Sequence, residues 1–233
     1  MPEAIILAGG LGTRLKSIAP DVPKCMALVA GKPFIDHVID YALKQGVNKF
    51  VFAAGYLHQI LEDHLTDKWP HLHYYITIED TPLGTGGAIG LACTKVNSTH
   101  FLVLNGDTLF KMDYQKLLDV HLKNNAFVTL ALKQMFDFER YGTVEIDPNQ
   151  KITAFNEKKR CKTGYINGGV YLINKRKFTD LNRQSNYSFE KDILENQVTT
   201  GNLYAEIFED YFIDIGIPED FRKANIDLLN DRK

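Results

Sequence analysis

Residues 5–24 read IILAGGLGTRLKSIAPDVPK, and the rest of the chain is placed from them. Ile5 to Ala8 form an apolar run, which predicts a short buried strand opening the fold. The run leads into Gly9, Gly10 and Gly12, then Thr13 and Arg14, with Lys24 following Pro23. Glycine has no Cβ and tolerates positive φ, so backbone N–H groups there can approach an anion closely. Arg14 and Lys24 add the cations that a polyphosphate requires. Two familiar phosphate loops are excluded. The one Gly–Lys pair, Gly31–Lys32, is followed by Pro33 and cannot be a G-x-x-x-x-G-K-[ST] loop. The G-x-G-x-x-G fingerprint ends wrongly at both glycine loops, on Leu15 and on Ile89.

Outward from this stretch, strand and helix patterns alternate. A helix is predicted over 32–45, with Ile35, Val38, Ile39 and Ala42 on one face and Gly46 stopping it. A buried strand over 49–54, a helix over 56–65 and a strand over 73–79 follow. Next come a second glycine turn, Leu83–Ala92, running into a helix, and a strand over 101–107 with a polar end. A helix over 113–123 and a strand over 127–132 complete the first half. This alternation predicts an α/β fold with a mostly parallel central sheet and helices on both faces. The second half reads as short strands over 143–147, 151–156, 166–173, 203–208 and 211–215, with turns at 147–150 and 162–164. Ser188 is placed to cap a helix over 189–196, and Pro218 to begin the last one.

With 233 residues, and no linker or repeat, a single domain is expected over 1–233, its second half building a lobe on the same sheet. A net charge of −2 gives no reason to expect a nucleic-acid or membrane partner. Three widely spaced cysteines fit neither a disulfide framework nor a zinc pattern. No apolar run approaches ~20 residues, and MPEAIILAGG lacks the pattern of a signal peptide, so a cytoplasmic protein is expected.

Beyond the first loop, Asp107 and Asp214 each stand at the polar end of an apolar strand. Strand ends in an α/β sheet converge on one crevice, so the two could share a Mg²⁺, which prefers a few carboxylates, water and phosphate oxygens. The sequence now matches a known pattern. Leu7-Ala-Gly-Gly-Leu-Gly-Thr-Arg-Leu15 with Pro23-Lys24 resembles the signature of the sugar-1-phosphate nucleotidyltransferases. The resemblance continues through Pro82-Leu-Gly-Thr-Gly-Gly-Ala88, Asn105-Gly-Asp107, Glu157-Lys158, Asn167-Gly-Gly169 and Asp214-Ile-Gly216. Among the branches, GKPF, LNGDT, RYGTV and INGGVY look most like the D-glycero-α-D-manno-heptose 1-phosphate guanylyltransferases.

The resemblance implies a Rossmann-like three-layer αβα sandwich of the nucleotide-diphospho-sugar transferase type, with a mixed sheet. It implies a nucleotide-binding half, about 1–132, and a sugar-binding half, about 133–233. The implied partners are an NTP, GTP first, and a sugar 1-phosphate, with Mg²⁺ as cofactor; a homo-oligomer stays open. By the same resemblance, Arg14, Lys24 and Asp107 are catalytic, and Asp107 and Asp214 hold the metal. Leu7, Ala8, Gly9, Gly10, Gly12, Thr13, Arg14, Lys24, Glu79, Gly84, Thr85 and Gly106 meet the nucleotide. Tyr141, Gly142, Glu157, Lys158, Asn167 and Gly168 meet the sugar phosphate. Taken without it, Lys158-Lys-Arg160 reads equally as a solvated charge run, and Tyr141 as a core tyrosine. Cys25 and Lys159 stand where many relatives carry proline, so both loops lack that stiffening.

Overall fold

The computed structural model describes residues 2–10, 20–181 and 186–230. The first half alternates as expected. It comprises β1 (Glu3–Leu7), the small hairpin β2 (Leu28–Val29) and β3 (Lys32–Pro33), α1 (Phe34–Lys44), β4 (Phe50–Ala54) and α2 (His58–Lys68). Then come β5 (Tyr74–Ile78), α3 (Gly84–Cys93), β6 (His100–Asn105), β7 (Thr108–Phe110) and α4 (Tyr114–Lys123). The second half holds β8 (Val128–Phe138), β9 (Thr143–Ile146), β10 (Ile152–Asn156), β11 (Cys161–Asn174) and the short α5 (Lys175–Thr179). A π-helical segment (Phe189–Glu195), β12 (Leu203–Phe208), β13 (Phe212–Asp214) and α6 (Pro218–Asn230) follow.

The main sheet runs β5–β4–β1–β6–β11–β8–β12. Strands β5, β4, β1 and β6 are parallel, β11 runs against both β6 and β8, and β12 is parallel to β8. Because both faces of the sheet are covered, its strands are continuously apolar rather than alternating. Ala4 and Ile6 face a core shared with Phe34 of α1, Leu61 of α2, Leu117 of α4 and Leu228 of α6. Ile5, between them, faces Ile89 of α3, Phe178 of α5 and Phe189. The result is a three-layer αβα sandwich around a mixed, mostly parallel sheet.

β8 and β11 carry the chain from the sandwich into the second lobe. Residues 170–174 of β11 pair with β6, whereas 161–167 pair only with the outer half of β8 and, at Ile166, with Thr143 of β9. A register shift between Asn167 and Tyr171 marks the bend. The turn expected at 162–164 is therefore strand. Gly164 lies inside β11, where a Cβ would fall 2.8 Å from Thr143 Cγ2, so the glycine allows two strands to approach rather than the chain to reverse. Ser188 caps its helix as expected, accepting from Lys191 N at 3.2 Å, but the helix it begins is of the π type.

One buried polar cluster gives the fold an acid sensitivity. His121 is 1 % exposed and lies between Thr129 Oγ1 (2.9 Å from Nδ1) and His100 Nδ1 (3.1 Å from Nε2). Burial, then the neighbouring His100 and Lys177, push His121 down to about 3. The unfolded chain takes up this proton near pH 6.5 and the folded one does not, so stability present above pH 6.5 is lost as pH falls toward 3. We expect His121→Gln to remove up to about 1.4 kcal/mol per pH unit from the slope of unfolding free energy between pH 6 and 4. Urea titrations at several pH values would read it; an unchanged slope would show that His121 is already charged.

Candidate functional site

Parallel strands deliver their carboxyl ends to one edge of the sheet, and the loops leaving β1, β4, β5 and β6 meet there. Gly106 N donates to Leu7 O at 3.0 Å, tying the β6 loop to the end of β1. A Cβ on Gly106 would sit 2.6 Å from that carbonyl, so only glycine permits the contact. Leu7, Ala8, Gly10, Lys24, Cys25, Thr85, Asn105, Gly106, Asp107 and Glu190 surround a cleft of about 200 Å³. Gly9 packs behind it, beside Gly55 and Glu79. Glu79 Oε2 accepts from Leu83 N at 2.8 Å, which holds the turn into α3. Gly84 begins α3, and Thr85 next to it donates to Glu190 Oε2 (2.9 Å) and accepts from Phe189 N (2.8 Å).

A second, wider cleft of about 610 Å³ opens beside the first, under β9, β10 and the outer half of β11. All six residues expected to meet the sugar phosphate line it: Tyr141, Gly142, Glu157, Lys158, Asn167 and Gly168. Asn167 is held from both ends, its Oδ1 accepting from Gly169 N (3.0 Å) and its Nδ2 donating to Tyr171 OH (2.8 Å). Tyr171 in turn donates to Glu190 Oε1 at 3.2 Å. Glu190 and Asn105 line both clefts, so the two cavities adjoin. Glu157 and Lys158 are exposed and form no ion pair with another described residue.

At the junction the charges concentrate. Lys24 Nζ makes an ion pair with Asp107 and lies 3.5 Å from Asp214 Oδ1, so residues far apart in sequence share one ammonium. Burial, then Asp107, raises the Asp214 carboxyl, against the opposing pull of Lys24, the Gly216 N–H and Arg140. Gly216 N donates to Asp214 Oδ1 at 2.7 Å and fixes its rotamer. Two carboxylates that share one ammonium, with no histidine or thiolate beside them, are hard oxygen donors of the kind a divalent ion takes alongside water and phosphate. Among the described residues no cluster of three or more His, Cys, Asp or Glu could hold a metal.

Two neighbours were not singled out in the sequence. Arg140 makes an ion pair with Asp220 in the first turn of α6, lies 4.0 Å from Asp214 Oδ2, and stacks over the Tyr141 ring at 5.3 Å. Burial, then Asp214, raises the Tyr141 hydroxyl and keeps it protonated. Glu190 follows a helix cap and carried no signal except its distance from Ser188. Cys25, 3 % exposed, is pushed up to about 12 by burial and by Asp107, so it is a packing residue and no nucleophile. Gly12, Thr13 and Arg14 lie outside the described residues.

A family model described as nucleotidyl transferase matches residues 3–231. The chain is 43 % identical over 226 residues to the D-glycero-alpha-D-manno-heptose 1-phosphate guanylyltransferase of Aneurinibacillus thermoaerophilus, covering 97 % of this chain and 98 % of that one. To the enzyme of the same name from Campylobacter jejuni it is 45 % identical, covering 94 % and 96 %. The crystal structure of HddC from Yersinia pseudotuberculosis complexed with GMP-PN superposes with a TM-score of 0.88 at 38 % identity, over 98 % of this chain and all of the other.

Proposed function

This chain belongs to the nucleotidyl transferase family, and from that premise we propose that it joins D-glycero-α-D-manno-heptose 1-phosphate to GTP, giving GDP-heptose and pyrophosphate. The observation that carries the reading is the junction of two clefts at Lys24, Asp107 and Asp214. A nucleotide in the smaller cleft and a sugar phosphate in the wider one would meet there with their phosphates facing. Residues 1–132 are assigned to the nucleotide and 133–233 to the sugar. The names of the relatives supply the base and the sugar.

In the reaction, an oxygen of the sugar phosphate attacks the α-phosphorus of GTP in line with the departing pyrophosphate. The attacking group is already anionic, so no general base is needed. What obstructs it is repulsion between two phosphates, and catalysis consists of positioning and charge compensation. Leu7, Ala8, Gly9, Gly10, Gly12 and Gly106 are assigned to the triphosphate through their backbone, with the Thr13 hydroxyl beside them. Arg14 and Lys24 take the charge that builds on the leaving pyrophosphate. The base and ribose are assigned to the end of β5 and the start of α3, at Glu79, Gly84 and Thr85. Asp107 and Asp214 are assigned to Mg²⁺, which when bound offsets the repulsion and polarises the α-phosphate. On the other side Lys158 holds the sugar phosphate. Glu157, Asn167, Gly168, Tyr141 and Gly142 orient the sugar ring, the Asn167–Tyr171–Glu190 chain keeping that floor rigid. We place the reaction in the cytoplasm; no disulfide joins the described cysteines, and no helix among the described residues is long and apolar enough to cross a membrane.

The test is pyrophosphate release with Mg²⁺ over a grid of four NTPs and several sugar 1-phosphates, among them heptose, mannose, glucose and N-acetylmuramate. Release confined to GTP with the heptose phosphate is expected. Release with another pair would move the substrate, and no release at all would remove the catalytic assignment. Lys158→Ala is expected to raise KM for the sugar phosphate about tenfold or more while KM for GTP stays unchanged. An unchanged sugar-phosphate KM would mark Lys158 as part of a solvated run.

A further inference from the structure

Asp214 is tied down on one oxygen and open on the other. Its Oδ1 accepts from Gly216 N at 2.7 Å and lies 3.5 Å from Lys24 Nζ. Its Oδ2 accepts no hydrogen bond from a described residue, and Arg140 Nη2 stands 4.0 Å from it. That separation is about 1 Å too long for a charge-assisted hydrogen bond. At this distance the guanidinium still offsets the negative charge gathered at Asp107 and Asp214, because Coulomb energy falls only as the inverse of distance. It does so without using up the lone pairs of Oδ2.

Asp220 holds Arg140 at that distance. Arg140 sits in the turn between β8 and β9, and its Nη1 makes an ion pair with Asp220 in the first turn of α6. The guanidinium lies over the Tyr141 ring, 5.3 Å from its centroid, with Nη2 3.4 Å from the Tyr141 hydroxyl. Of the two partners, α6 is the fixed one. Ala224 and Leu228 anchor it in the core, and Asn225 Oδ1 accepts from Ala30 N at 2.9 Å. The helix dipole favours a carboxylate in that first turn. Arg140 thus faces two carboxylates, and it is paired with the one that is not assigned to the metal.

We propose that Asp220 is a positioning residue: by engaging Arg140 it keeps the guanidinium from closing on Asp214 Oδ2, and so leaves this oxygen open to the ion. This role rests on the reading of Asp214 as a ligand of Mg²⁺. Freed from Asp220, Arg140 has a second carboxylate within a side-chain rotation. A direct Arg140–Asp214 pair then competes with the ion for the same oxygen. Loss of Asp220 therefore acts through Arg140, and only while Arg140 is present. Simple loss of a negative charge near a cation site behaves differently, because it weakens the ion by the same factor with or without Arg140.

The test is Mn²⁺ binding to the full chain with saturating GMP, read by electron paramagnetic resonance of the free ion, with no sugar phosphate and hence no turnover. GMP is used because its single phosphate holds Mn²⁺ weakly by itself. Asp220→Asn is expected to raise the Mn²⁺ Kd about tenfold. Asp220→Glu, which keeps a carboxylate for Arg140, should stay close to the parent. Arg140→Gln should bind Mn²⁺ as tightly as the parent or more tightly. With Arg140→Gln in place, Asp220→Asn should change the Kd by less than about twofold. The Mg²⁺ concentration for half-maximal pyrophosphate release should follow the same order. A parent that binds no Mn²⁺, or an Asp214→Asn variant that binds it as tightly as the parent, removes the metal assignment and this role with it. A parent that binds the ion through Asp214 while Asp220→Asn leaves its Kd unchanged overturns the positioning role alone. So does a loss of equal size with and without Arg140→Gln.

Discussion

Replacing Asp107 by asparagine is expected to lower kcat by about a hundredfold to a thousandfold without unfolding the protein. Asp107 follows β6 immediately after Gly106, whose backbone is pinned to Leu7, so the loop keeps its position when the side chain changes. What the substitution removes is charge. Lys24 loses its closest carboxylate partner and leans toward Asp214 alone, and the junction loses one of the two anions assigned to Mg²⁺. Binding of GTP should suffer less than turnover, because the clefts themselves remain. Steady-state kinetics at several Mg²⁺ concentrations would read this. Activity close to that of the unaltered protein at saturating Mg²⁺ would take Asp107 out of the reaction.

Asp214→Asn should cost turnover on the same scale but have the opposite effect on the protein itself. Burial and Asp107 raise the Asp214 carboxyl, so at neutral pH the folded state holds an anion that its surroundings disfavour. A carboxyl whose folded pKa lies above its unfolded one makes the fold less stable above that pKa, and the deficit closes as pH falls through it. Asparagine resembles the protonated acid and can still accept from Gly216 N. The unliganded variant is therefore expected to melt higher than the parent at pH 7.5, with the gap shrinking toward acid pH. Added Mg²⁺ with nucleotide should stabilise the parent more than the variant. Thermal shift with and without both ligands measures each half. A variant that melts lower at pH 7.5 would mean that Lys24 and Arg140 outweigh burial.

Much of this was legible in the sequence, and the parts that were not share a cause. The alternation of apolar strands with amphipathic helices up to Leu132 placed the sandwich correctly, because strands buried on both faces and helices with one apolar face leave distinct patterns. The outer halves of β8 and β11 were missed. Lys133, Gln134 and Asp137 in one and Lys162 and Thr163 in the other belong to a lobe open to solvent, so burial imposes no pattern on them, and Gly164 there imitates a turn. The hairpin of β2 and β3 and the strand β7 are too short for any period to register, whereas β13 falls inside the strand expected over 211–215. For the site, most of the motif residues that are described line one of two adjoining clefts, while Gly12, Thr13 and Arg14 lie outside the described residues. They could not find Glu190 or Arg140, whose importance lies in contacts across the fold: Glu190 with Thr85 and Tyr171, Arg140 with Asp214 and Asp220.

The long strand β11 has a practical corollary. One continuous segment runs from the lobe into the centre of the sheet, so the floor of the wider cleft at Asn167 and Gly168 is set by the same backbone that pairs with β6. The roof is different. Tyr141, Gly142, Glu157 and Lys158 all come from the β9–β10 hairpin and its flanks, which join the sheet only at its periphery. The hairpin is thus the exchangeable cassette of the molecule. A chimera carrying residues 141–158 of a relative with a different sugar, and so keeping Arg140 beside Asp214, should inherit that relative's preference and leave the residues assigned to the nucleotide untouched.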